Sequence, residues 1–452
     1  MEMNEKHGIR GFMIGITLIM LIFSGCKKND LTETPSPINQ HSIEVKNPGN
    51  YNDIKPAIDS ALSKAISGDT IKLPKGIFAF NGSITSRKLV SLKGKGKDNT
   101  ILYRPESTPD SDLSSKYMFC FESYSDTSSY IIISDLTLKS KKPADMNNLN
   151  GSLTTDFGIK MSRVVDFMIA NCRFENFGYA AVMIYHKDDV ARGLICKNEF
   201  YHNFKGNGLG LGYGVCLYAE NLKWMESPRF GSNNFIFIED NTFEYHRHSV
   251  AAGGAGLYVA RYNQIRNNYV SAALDMHEAR TANLGGSNHF SSRAAEAYQN
   301  MIINTKYVDG TDIPGGNNVN ISLMTGAGIQ YNGGESVIHD NYVSGYKSGI
   351  CLAVSPNSVT GSTYPVLYQI GYASALAYGN NHNGTDPDHS NGDSFVWNNQ
   401  FHYINGYTSD NGSNKAFNYT TGLLSEGRDY HLAAKPGYVT YTYPHPLRSR
   451  IK

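Results

Sequence analysis

The sequence predicts an all-β solenoid, a stack of short coils that share one core. Three observations lead there: a composition suited to strands and tight turns, a short phrase that recurs along the chain, and two apolar columns that emerge when the phrases are aligned.

The composition comes first. The chain has 452 residues with 44 Gly, 30 Tyr and 43 Asn, and only 18% of it is charged. Helix-rich proteins draw on Ala, Leu, Glu and Lys. Asn, Gly, Tyr and Ser instead suit strands joined by tight turns. The 41 Lys and Arg balance 40 Asp and Glu, which disfavours a nucleic-acid binder, whose footprint is a basic excess. A hydrophobic content of 40% with 12% aromatic residues is enough to build a core and argues against disorder.

The recurring phrase is an apolar residue, two polar residues, Asn, any residue, then an apolar residue. It places Asn198, Asn241, Asn263, Asn300, Asn341 and Asn399 as anchors, with a looser copy ending at Phe174. Asn241 and Asn263 are 22 residues apart, a bare coil. The longer intervals are coils that carry loops. A single coil cannot bury its own apolar face, so stacked coils share a core. Asn at a fixed place suits a turn with left-handed backbone and lets the side chains stack. A propeller would need longer and more regular blades.

A second strand phrase lies between the anchors. Its alignment gives one apolar column of Val182, Val215, Val250, Leu274 and Ile350, and another of Ile184, Leu217, Ala252, Met276 and Leu352. Strand side chains alternate faces, so Met183, Cys216, Ala251, Asp275 and Cys351 point outward. So do Tyr185, Tyr218, Gly253, His277 and Ala353, and, one step earlier, Tyr179, Gly212, Arg247, Ser271 and Lys347. Asp275 and His277 then share an outward face. Tyr185 and Tyr218 flank them, and Ala251, Gly253 and Ala353 leave a depression alongside. Two residues before each Asn, a further outward column holds Cys196, Glu239, Arg261, Tyr298 and His339, which makes Glu239 and Arg261 neighbours.

Upstream, Asp53–Ser67 sets Ile54, Ala57, Ile58, Ala61, Leu62, Ala65 and Ile66 on one helical face, with Pro56 in the first turn where it is tolerated. This helix, followed by GDTIKLPKGIF and LVSLKGKGKDNTIL, resembles the start of right-handed parallel β-helix proteins of the pectate lyase-like superfamily. In them an amphipathic helix plugs the first coil. Glu426–Leu447, EGRDYHLAAKPGYVTYTYPHPL, resembles a closing segment of bacterial β-helix proteins and is expected to seal the last coil. The resemblance spans roughly residues 45–445. It implies the fold, a right-handed parallel β-helix with a helical cap, and a carbohydrate as partner; fold alone does not name a reaction.

Polar residues concentrate between His246 and Tyr298. The combination RHSVA, ARYN, DMH there resembles a pattern in β-helix proteins of unsettled function. The candidate catalytic residues are His277, Asp275, His248, Arg261 and Arg247. The candidate substrate-binding residues are Tyr185, Tyr218, Tyr262, Arg280, Arg293, Glu296 and Tyr298. In a polysaccharide lyase acting on a uronate, an arginine (Arg247, Arg261 or Arg280) would neutralise the carboxylate. His277, oriented by Asp275, would take the proton, and His248 or Tyr262 would protonate the leaving oxygen. A glycoside hydrolase would need a second carboxylate, Glu278 or Glu296, beside Asp275. A non-catalytic glycan-binding or adhesive role is the third reading. No P-loop, Rossmann, zincin or serine-nucleophile motif occurs. No metal site and no cofactor is expected. Calcium, which assists some members of the superfamily, stays open, although no acidic cage is visible.

At the N-terminus, Lys6 and Arg10 precede the apolar run Gly11–Phe23 and then Ser24-Gly25-Cys26. That order makes a secretory signal, and the Cys after Ser-Gly resembles the lipobox of bacterial lipoproteins, in which that Cys becomes the lipidated N-terminus. The expected plan is a signal peptide at 1–25, a flexible tether at 26–45 and one β-helix domain at 46–452, with its cap at 53–67 and its seal at 426–447. The location is then the bacterial cell envelope, membrane-anchored through lipid, with the outer membrane favoured by Lys27-Lys28-Asn29-Asp30. The other five cysteines lie in apolar strand-like stretches without C-x-x-C spacing, which disfavours a disulfide framework or zinc site. Oligomeric state is not legible. Replacing the anchor, Cys26→Ala, is expected to abolish lipid attachment and release the protein from the membrane fraction. Unchanged processing and fractionation in that variant would rule lipidation out.

Overall fold

The pitch of the molecule is set by six asparagines. In the computed structural model, Asn198 offers its backbone N–H and its Nδ2 to Asn241 Oδ1, both at 3.0 Å. Asn241 does the same to Asn263, Asn263 to Asn300, Asn300 to Asn341 and Asn341 to Asn399. Each amide also caps a strand carbonyl of the coil before it, as Asn263 Nδ2 does with Ile238 O at 2.8 Å. The left-handed residue of the turn is not the Asn itself. It is the residue just before: Lys197, Asp240, Tyr262, Gln299, Asp340 and Asn398 have φ between 51 and 57°. The Asn is the stacking element, and its neighbour makes the corner.

The structure describes residues 41–123, 130–141, 154–186, 190–205, 211–219, 229–268, 272–277, 292–304, 326–353, 393–402, 417–419, 424, 426–427 and 429–450. The expected signal peptide, Cys26 and most of the expected tether lie outside them, as do Glu278, Arg280 and Ser271. Residues Gln40–Lys452 form one compact unit. Within it the strands fall into three sheets in which every paired strand is parallel. Among the described residues, sheet A has twelve strands, and sheets B and C have ten each. One coil runs Leu257–Arg261 in sheet A, Gln264–Arg266 in sheet B and Leu274–Met276 in sheet C, and Ala294–Tyr298 begins the next in sheet A. This is a right-handed parallel β-helix, as expected. The first described strand of sheet A is Ser42–Glu44, paired with Thr70–Lys72, so this strand lies within the stretch expected to be tether.

The capping helix spans Lys55–Lys64 and buries Ile58 and Ala61. It is shorter than expected at both ends. Asp53 bridges Ala79 in the first coil, and its Oδ1 accepts from Lys55 N at 3.0 Å. Ala65 is already extended.

The core columns of sheet C follow the expected parity. Val182, Val215, Val250 and Leu274 are in register, as are Ile184, Leu217, Ala252 and Met276, and all eight are buried. The sequence reading missed one strand. Ala327–Tyr331 pairs between Leu274–Met276 and Ser348–Leu352. The neighbours of Asp275 and Met276 on that side are therefore Gln330 and Tyr331, rather than Cys351 and Leu352. In sheet B, Phe174, Phe200 and Phe243 stack at 5.1 and 4.6 Å between ring centres.

The C-terminal segment differs most from expectation. Only Tyr430–His431 extends the stack, as the last strand of sheet A. The rest turns back as a strap across the outer face of sheet A. Tyr438 meets Trp397 and His339 and donates to Glu296 Oε2 at 2.6 Å. Tyr443 stacks on Tyr262 at 3.8 Å, His445 N donates to Glu239 Oε1 at 3.1 Å, and Arg450 lies over the Tyr130 ring at 4.2 Å. Gly231, with φ +75°, lets the strap pass, because a Cβ there would meet Val439 O at 2.0 Å.

Two predictions follow from these contacts. Asn263→Ala leaves the buried N–H and Nδ2 of Asn241 without their acceptor. Each orphaned buried donor costs about 1–3 kcal/mol, so the variant should lose about 3 kcal/mol in denaturant titration, and Asn399→Ala at the end of the ladder clearly less. Equal losses would mean the ladder does not act as a chain. The second concerns Glu296, which burial pushes up to about 7 despite the donors Tyr438 and Gly231 N–H. Its folded value lies above the ordinary 4.5, so the native state holds a proton that the unfolded chain releases, and stability falls as pH rises from about 4.5 through 7. Glu296→Gln should remove that fall, worth roughly 3 kcal/mol. Parallel stability–pH curves for the two proteins would refute it.

Candidate functional site

Leu274 and Met276 are both buried in the core, so the strand between them must turn Asp275 to the outer face of sheet C. Asp275 is nonetheless 1% exposed, because its neighbours close over it. His277 is the first residue past the strand. Its N–H donates to Ala252 O at 2.8 Å, and its carbonyl accepts from Ser292 N at 3.1 Å. That fixes the backbone of His277 from both sides and brings the ring to Asp275, with Nδ1 3.2 Å from Oδ2.

His248 opens the strand one coil earlier. Its Nδ1 lies 2.6 Å from Ala272 O. A carbonyl can only accept, so Nδ1 carries the proton and Nε2 is the acceptor. Burial, with Arg247 and His277 beside it, holds this imidazole well below the ordinary histidine range, so it is neutral at pH 7. The His248 and His277 rings meet edge to face at 5.3 Å. One donor atom from each of His248, Asp275 and His277 lies within 4.8 Å of the others.

Tyr213 completes the cluster and was not among the expected site residues. It pairs with His248 in the sheet register, stacks on it at 5.7 Å and meets the His277 ring at 6.3 Å. Arg247 donates to the Tyr213 hydroxyl at 2.7 Å and covers its ring. The signal was present in the sequence: the aligned column one place past Tyr179, Gly212 and Arg247 reads Ala180, Tyr213, His248.

From this cluster an aromatic row runs toward the N-terminus. Tyr213, Tyr179, Phe157 and Tyr117 follow one another at 5.8, 4.5 and 5.0 Å. Beside it Tyr185 and Tyr218 stack at 5.5 Å, and Lys160 sits over Tyr117 and Tyr185. Lys160 could have been found by extending the outward column one coil further, since Ile159 and Met161 flank it as Val182 and Ile184 flank Met183. The depression expected at Gly253 is filled by the Tyr218 ring, which a Cβ there would meet at 2.9 Å. On the other side, Gln330 stands beside Asp275.

Thus His277, Asp275, His248 and Arg247 come together, with Tyr185 and Tyr218 on the same face. The remaining expected residues do not join them. Arg261 is fully buried in sheet A. It pairs with Glu239 at 2.6 Å and donates to Tyr298 Oη, Tyr441 O and Thr442 O. Its hydrogen-bonding capacity is spent on Glu239, Tyr298 and the strap, so it is a structural ion pair and not part of the sheet C cluster. Tyr262, Glu296 and Tyr298 lie on that same strap-covered face. Arg293 forms a buried pair with Glu335 at 2.8 Å. Glu296 is therefore no partner carboxylate for Asp275, and Tyr262 cannot serve as an acid beside His277. Arg280 lies outside the described residues.

Comparison by sequence finds no protein-family model and no curated protein that matches the chain. Solved structures align with it at low identity. An alginate lyase from Paenibacillus sp. str. FPU-7 is 12% identical over 86% of this chain and 99% of that one, with a TM-score of 0.44. DFA-IIIase from Arthrobacter chlorophenolicus A6 is 12% identical over 88% and 99%, with a TM-score of 0.46. A PL6 family polysaccharide lyase from Pseudopedobacter saltans is 13% identical over 91% and 90%, with a TM-score of 0.41. The fold assignment rests on the parallel pairing and register of the three sheets.

Proposed function

We propose that the chain is a carbohydrate-active β-helix lipoprotein of the bacterial cell envelope, held by Cys26, that cleaves an acidic, uronate-containing polysaccharide by β-elimination. The observation that carries this reading is the Asp275–His277 pair, set beside the neutral imidazole of His248 and an arginine at the end of an aromatic row. Tyrosine rings offer flat apolar faces to sugars and hydroxyls for hydrogen bonding. Lys160 and Arg247 supply the positive charge that a carboxylated chain needs.

In the proposed reaction, His277 takes the C5 proton with Asp275 holding the ring, the C4–C5 double bond forms, and the C4–O bond breaks. Arg247 neutralises the uronate carboxylate. The leaving oxygen receives its proton from Tyr213, since neutral His248 carries its only N–H toward Ala272 O and has none to give. Hydrolysis is less well supported, because it calls for two carboxylates across the bond, and among the described residues the cluster contains one.

The test is to incubate the protein with a panel of acidic and neutral polysaccharides while following unsaturated products and reducing ends together. Unsaturated ends are expected on an acidic glycan. Reducing ends without unsaturation would favour a hydrolase, and binding without either product a non-catalytic role. His277→Ala should lower the rate by about 10²–10⁴ with a melting temperature near wild type, because the side chain lies outside the core. Full activity in that variant, or its unfolding, would make the pair structural.

A further inference from the structure

We infer that His248, Asp275 and His277 form a binding site for one divalent transition-metal ion of the zinc class. Two imidazoles and one carboxylate are a borderline-soft donor set that suits Zn²⁺ and its first-row neighbours. Calcium and magnesium take oxygen donors in greater number. The three donor atoms lie within 4.8 Å of one another; donors of a tetrahedral site with bonds of about 2.0–2.1 Å stand about 3.4 Å apart, so side-chain rotation would have to draw the widest pair together by up to about 1.4 Å. Three protein donors leave a position open to solvent or ligand, the arrangement found in reactive rather than purely structural zinc sites.

A second observation points the same way. His248 is 1% exposed and its Nε2 has no hydrogen-bond partner among the described residues. Buried polar atoms are normally satisfied. The Nδ1–H contact to Ala272 O is the kind of supporting bond that fixes a ligating histidine in the correct tautomer. With Nδ1 engaged, Nε2 is the nitrogen left to bind an ion. The backbone supports are equally firm: Asp275 sits between two core residues, and His277 is pinned through Ala252 O and Ser292 N.

The inference goes beyond the elimination reading and is tested without substrate. It also bears on that reading, because an ion at this place takes up the lone pairs that proton abstraction requires. Metal-loaded and proton-accepting forms of the site are alternatives, so zinc is expected to inhibit elimination.

The test uses the untagged chain, stripped with a chelator and titrated with Zn²⁺ alone by calorimetry, with bound metal counted after dialysis. One ion per chain is expected, not displaced by millimolar Ca²⁺. Co²⁺ in its place should give visible absorption bands that Zn²⁺ abolishes. His277→Ala and the isosteric Asp275→Asn should each weaken binding by about a hundredfold or more, exceeding the loss typical of supporting residues. Circular dichroism would verify their fold. His339→Gln, remote in sheet A, should bind as wild type. Absence of stoichiometric Zn²⁺ binding would overturn the inference, as would unchanged affinity in folded His277→Ala and Asp275→Asn.

Discussion

Everything in this molecule depends on holding each coil at a fixed register above the last, and the asparagine ladder does this. One side-chain oxygen, that of Asn263, accepts a backbone N–H and a side-chain N–H from the preceding coil, and the same amide caps the carbonyl of Ile238. These bonds are internal to the stack, so they satisfy the polar groups of a corner that would otherwise be buried without partners. The left-handed residue just before each Asn turns the chain from sheet A to sheet B at the same point in each of these coils. Because side chains alternate along a strand, a slip of one residue would exchange core and surface for a whole strand. The ladder is therefore what makes face parity a reliable guide to the site.

That explains how much was legible. The anchors, the two apolar columns and the outward position of Asp275 and His277 all follow from a local, repeated pattern, and each reappears in the register of sheet C. The strand Ala327–Tyr331 was missed because residues 278–291 and 305–325 break the spacing around it, and because it puts the aromatic Tyr331 in a column that otherwise reads Ile, Leu, Ala, Met and Leu. The strap was misplaced for a different reason. Its contacts join residues about as far apart as Arg261 and Tyr441, separated by 180 positions, and no periodicity in the sequence encodes such a pairing.

The strap also separates two clusters that look alike in sequence. Glu239, Arg261, Glu296 and His339 face outward from sheet A, as Asp275 and His277 do from sheet C. On sheet A the strap brings its own partners, Tyr438, His445 and Arg448, and buries the charges as a closed network. A buried ion pair contributes little net stability, but losing one partner costs about 3–5 kcal/mol. Arg261 is therefore critical to docking the C-terminus and has no capacity left for a ligand. Charge alone could not have told the two faces apart; what covers each face decides it.

Sheet C has no such strap among the described residues, and its cluster is built differently. The three groups come from two successive coils: His248 starts its strand, Asp275 lies between two core residues and His277 follows the strand end. His248 and Asp275 are buried, and His277 alone is partly exposed. His248 is held by Ala272 O from the next coil, and His277 is held by Ala252 O from the coil of His248. Each coil thus positions the other's imidazole. A site of this kind is preorganised by the stack itself. The partly exposed edge of His277 is then the place where a proton, an ion or a sugar can enter.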